Sequence, residues 1–135
     1  MTSSRLLFAA AALALACSSP NERPMKDPER ERQATLDALE RMRADGADLS
    51  KALEIDFHVA VPTQEAGQIV ASDAEGHGFR TRVVQDEGKP SWTVWCTRTF
   101  VPTEPTISQF EALLDGIAKP HGGYIDGWGS WSGSW

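Results

Sequence analysis

The chain has 135 residues, room for one domain and a short extension. Its 13 basic and 19 acidic residues leave a net charge of −6, which excludes binding driven by nucleic-acid phosphates, since that needs clustered Lys and Arg. A hydrophobic fraction of 41% suits an ordinary globular core.

Residues 1–16 read MTSSRLLFAAAALALA, one Arg followed by an apolar run. The run is too short for a membrane-spanning helix, which takes about 20 residues, and fits a secretory signal. Cys17-Ser18-Ser19-Pro20 follows. The stretch Leu13-Ala14-Leu15-Ala16-Cys17 resembles a bacterial lipoprotein lipobox, with Ala14 where Leu is usual and Leu15 where a small residue is usual. That resemblance implies a lipid thioether on Cys17 and a membrane anchor on the periplasmic side of the bacterial envelope, with Ser18 favouring the outer membrane. The alternative is an ordinary signal cut near Ala16, with Cys17 incidental. Residues 17–26 are polar, contain two prolines and read as a tether. Cys17 at the edge of the leader and Cys96 inside a strand-like run are not expected to form a disulfide.

Asp27-Pro28-Glu29 starts a helix, with Asp as the cap and Pro in the first turn. The helix runs to about Ala44, with Gly46 as a left-handed stop. Its apolar residues Leu36, Leu39 and Met42 form a narrow stripe on a charged surface. Residues 53–61 alternate, with Leu53, Ile55, Phe57, Val59 and Val61 on one side and Glu54, Asp56 and His58 on the other, the pattern of a half-buried strand. Thr63 caps a helix over 64–75 with Ala66, Ile69, Val70 and Ala74 on one face, closed by Gly76-His77-Gly78. Strands over 79–85 and 92–101 flank a hairpin connection at 86–90. Thr106 is the expected cap of the next helix, which Pro120 and Gly122-Gly123 stop. Tyr124-Ile125-Asp126 opens a last strand, and residues 132–135 are a tail.

A helix followed by β-α-β-β-α-β predicts an α+β, ferredoxin-like split βαβ domain over 27–131, an antiparallel sheet in order 4-1-3-2 with one extra N-terminal helix. Phe57, Val59, Ile69, Phe110 and Leu114 are its expected core.

The motif Tyr124-Ile125-Asp126-Gly127-Trp128-Gly129-Ser130-Trp131 resembles the run that closes domains of the regulator of ribonuclease activity B (RraB) family. Asp45-Gly46-Ala47-Asp48 and a strand reaching His58 fall in matching order. The resemblance implies a ferredoxin-like fold and a non-catalytic role, binding and restraining the endoribonuclease that degrades messenger RNA. Two departures stand out: a secretory leader precedes the domain, and no long acidic tail follows it.

His58, His77 and His121 lack metal-binding spacing, no cofactor is indicated, and all three read as solvated. Cys96 reads as a buried core thiol. Trp92 and Trp95 have opposite parity, so one faces the helices and the other the open face. Trp128 is expected to fold onto the sheet, with Gly127 and Gly129 allowing a tight backbone path. The open face would then carry Glu54, Asp56, His58, Arg80, Arg82 and Trp95, a mixture suited to a protein partner. The N-terminal helix is the competing cover for Trp95 and is favoured there, because its stripe needs an apolar surface.

Three readings follow: an exported, lipid-anchored, monomeric protein-binding module with no direct nucleic-acid contact; a cytoplasmic inhibitor of the endoribonuclease; or an envelope enzyme or small-ligand binder. A deep pocket holding His58 beside an acid would favour the third.

Overall fold

The computed structural model describes residues 27–130. Cys17, the leader, the tether, Trp131 and the tail lie outside them. The elements are α1 (Pro28–Ala44), β1 (Leu53–Val61), α2 (Gln64–Gly76), β2 (Arg80–Gln85), β3 (Trp92–Phe100), α3 (Glu104–Ala118) and β4 (Tyr124–Ser130). The sheet order is β2-β3-β1-β4, every pair antiparallel. This is the expected split βαβ arrangement.

Local signals set most boundaries. Asp27 accepts a hydrogen bond from the Glu29 amide at 3.0 Å and Pro28 occupies the first turn of α1. Gly46, at φ 102°, lets the chain leave the helix in the left-handed region. Thr63 caps α2 by accepting from the Ala66 amide at 3.1 Å. At the β2–β3 hairpin the Ser91 and Thr93 hydroxyls both donate to Asp86 at 2.6 Å, which holds its carboxyl below the usual range and pins the register of β3.

The core lies between the sheet and α2 and α3. Ile55, Phe57, Val59, Val94, Cys96, Val70, Ile107 and Leu114 are fully buried. Phe110 and Phe100 close it from the side. Arg98 lies 5.6 Å from the Phe79 ring centre and 5.0 Å from that of Phe110, and donates to the His77 carbonyl.

Three expectations are corrected. Ile69 is 47% exposed, not in the core. The buried stripe of α2 is Ala66, Gly67, Val70, Ala71 and Ala74, and at 100° per residue Ile69 stands roughly 130° from its centre. Helix α3 starts at Glu104 with Thr103 as its cap, because Thr103 accepts from the Thr106 amide at 3.3 Å. Pro105 fits in that first turn, where a missing N–H costs nothing. Helix α1 lies against α3, not over the open face of the sheet. Thr35 and Leu39 are buried there, Met42 packs on the core, and Arg32 lies 3.8 Å from Glu104, while Leu36 is 37% exposed.

Candidate functional site: the open face of the sheet

Strand register arranges the face opposite the helices in transverse rows. One row reads Arg82 on β2, Trp95 on β3, His58 on β1 and Gly127 on β4. The next reads Arg80, Thr97, Asp56 and Gly129. On the other side of the Trp95 row stand Val84, Thr93, Ala60 and Tyr124. All six residues expected on this face are therefore together. Trp92 has the opposite parity and packs on the core, as does Trp128.

Trp95 is the centre. The Arg82 guanidinium lies 5.2 Å from its ring centre, and the His58 ring meets it at 4.3 Å and 63°. Arg80 reaches across β3 to Glu54 at 2.5 Å, an exposed pair worth little by itself. Asp56 is buried and accepts from the Thr97 hydroxyl at 2.5 Å. Glu54, Asp56, Arg80, Arg82, Trp95 and the two Thr residues 81 and 97 line a shallow concavity of about 220 Å³. Small-molecule sites run from about 300 to 1,000 Å³ and enclose their ligand. This one is smaller and open, and His58 is not among its lining residues.

His58 is not solvated as expected. It is half-buried, and its Nε2 is sealed from solvent without a hydrogen-bond partner. Burial lowers its pKa, opposed by the charges of Asp56 and Asp126. A base held neutral in the fold makes the unfolded chain the better proton binder at low pH. Stability is therefore unaffected above about pH 6.5 and falls as pH drops below it toward the folded-state value. Unfolding midpoints of wild type and His58→Asn, compared between pH 7 and pH 5, should diverge with that sign. Parallel curves would show that His58 carries no such linkage.

Strand β4 holds what the sequence reading missed. The register slips by one between His58 and Val59, leaving Asp126 as a bulge residue opposite no partner. The slip keeps Tyr124 and Gly127 both on the open face. Gly127 and Gly129 do not serve a tight backbone path: neither has a positive φ, and a Cβ on either would meet nothing within 4 Å. They leave open floor beside Asp56 and His58. Paired glycines interrupting an alternating strand were the available signal for a bulge. Cys96 is the expected core thiol, its pKa pushed up to about 12 by burial. His77 caps α2 and is exposed. Among the described residues no group of three or more His, Cys, Asp or Glu side chains could hold a metal ion.

The family model described as regulator of ribonuclease activity B matches residues 32–130. The chain belongs to this family. The RraB match opens inside α1 and closes on Ser130, the last residue of β4, so it spans every strand of the face described above. Tyr124, Asp126, Gly127, Trp128 and Gly129, which carry the RraB resemblance in the sequence, all lie on the bulged edge strand, with Trp128 turned to the core. RraB is a regulatory family, in accord with a protein-binding role. Comparison with curated proteins finds no match.

Proposed function

We propose that this chain is a protein-binding module of the RraB type, acting through the open face around Trp95 and held at the bacterial envelope by a lipid on Cys17. The supporting observation is the position of α1. It packs against α3 and leaves Trp95 between Arg82 and His58 with no helix of the described residues above it. An aromatic ring ringed by mixed charges suits a protein interface. Trp95→Ala should weaken capture of the partner that the wild-type chain retains from envelope extract by roughly 2 kcal/mol, while stability changes by less than about 1 kcal/mol. A loss of about 3–5 kcal/mol in stability would instead mark Trp95 as packing.

The envelope part of the proposal rests on the leader and Cys17. Wild type should incorporate labelled palmitate and sediment with membranes, and Cys17→Ala should not. Equal labelling of the two would remove the anchor.

The family match favours a second reading, a cytoplasmic inhibitor of the endoribonuclease that degrades messenger RNA. Unlabelled wild type in the cytoplasm that slows that enzyme in a purified assay would establish it. An exported chain does not meet a cytoplasmic ribonuclease.

A further inference from the structure

The open face is divided in charge and in height. On β2 it carries two long cations, Arg80 and Arg82. On β1 and β4 it carries Glu54, Asp56 and Asp126, and at Gly127 and Gly129 no side chain at all. The cations and the glycines share rows: Arg82 with Gly127, and Arg80 with Gly129. A two-fold axis along the strands, between β3 and β1, exchanges β2 with β4 and β3 with β1 while keeping each row in place. We propose that this face pairs with the same face of a second copy about that axis.

In the pair, Arg82 sits over the partner's Gly127 beside the partner's Asp126. Arg80 leaves its exposed contact with Glu54 and sits over the partner's Gly129 beside the partner's Asp56. Trp95 faces the partner's His58. In the row above, Val84, 38% exposed in the single chain, meets the partner's Tyr124. Height and charge are thus complementary in the same places, which is the condition for an isologous interface. The glycines are needed for it, because side chains at 127 and 129 would fill the seats of the arginines.

Size sets the strength. Four strands about 4.8 Å apart and three rows about 6.6 Å apart give a footprint of roughly 400 Å² per copy. Stable specific interfaces bury about 1,200 Å² or more in total. The pair is therefore a weak one, with a Kd of about 1 μM to 1 mM. In dilute solution a pair this weak comes apart, and the face is open to a different partner there.

Sedimentation velocity of the full chain, up to about 1 mM, tests this. Wild type should shift from monomer to dimer with rising concentration, and less so at high salt. Arg82→Glu alone should remain monomeric through like charge against the partner's Asp126, and Asp126→Arg alone through like charge against the partner's Arg82. An equimolar mixture of the two variants should dimerise, because each mixed pair restores both opposite-charge contacts. Gly127→Leu, whose Cβ would meet nothing within 4 Å among the described residues, should also stay monomeric while keeping a wild-type circular dichroism spectrum. A monomeric wild type, a monomeric mixture, or a dimer undiminished in Gly127→Leu each overturns the pairing. None of these outcomes bears on the loss of a different partner in Trp95→Ala, so the two proposals fail separately.

Discussion

Phe57→Ala is expected to lower folding stability by about 3–5 kcal/mol. The ring is fully buried at the middle of β1, one of the two strands with a neighbour on each side. It touches three other rings: Phe79 edge-on at 5.9 Å, Phe110 edge-on at 6.0 Å, and Phe100 stacked at 6.2 Å. Truncation removes the transfer free energy of the ring and leaves a cavity bounded by both sheet and helix side chains. Those neighbours have little freedom to collapse into it, since Phe110 and Phe79 are themselves held under Arg98. Domains of this size have only about 5–15 kcal/mol in total. The variant should therefore show a much lower urea midpoint with an unchanged slope. A loss under about 1.5 kcal/mol would mean that the aromatic cluster is not the centre of the core.

Gly123→Ala is the second large effect, expected to cost about 2–3 kcal/mol from a single methyl group. Gly123 enters β4 pressed against β1 and the end of α3. A Cβ there would lie 2.6 Å from the Ala60 carbonyl oxygen, 2.9 Å from Val61 Cγ1 and 3.2 Å from Ala118 Cβ. The nearest atom is backbone in a paired strand, so relief requires moving the strand. Gly116 is the control. It is exposed in α3, with nothing within 4 Å of its would-be Cβ. Gly116→Ala should stabilise the chain by about 0.5–1 kcal/mol, as glycine in a helix interior costs that much relative to alanine. Thermal unfolding of the two variants should move in opposite directions. Equal shifts would show that space around Gly123 is not what constrains it.

The period-two pattern of 53–61 was enough to turn Phe57, Val59 and Ile55 to the core and Glu54, Asp56 and His58 to the opposite face, but not to show that Asp56 is buried there. Caps at Asp27 and Thr63 and the hairpin at 86–90 gave the element order, and the order left few topologies. Parity alone put Trp95 on the open side. Three of the misses depended on contacts between elements distant in the chain. Ile69 sits on an apolar-looking face of α2, but which face is covered depends on how the helix lies over β2 and β3. Helix α1 carries a stripe that α3 covers as well as the sheet would. His58 packs against Trp95, 37 positions on. Thr103 and Thr106 are both adequate caps in sequence, and only the helix phase distinguishes them.

The edges of the sheet have a consequence of another kind. In the order β2-β3-β1-β4 the two outer strands each have a side with no strand of the described residues beside it, and such an edge is a template on which further strands add sideways into fibrils. Arg80 and Arg82 put charge along the β2 edge, so a second β2 approaching it meets like charge. The bulge at Asp126 breaks the spacing of the other edge and places an acid there. Sideways growth is obstructed at both ends of the sheet, while the broad face between them stays open. A chain concentrated on a membrane surface by a lipid would depend on that difference to remain soluble while still free to bind.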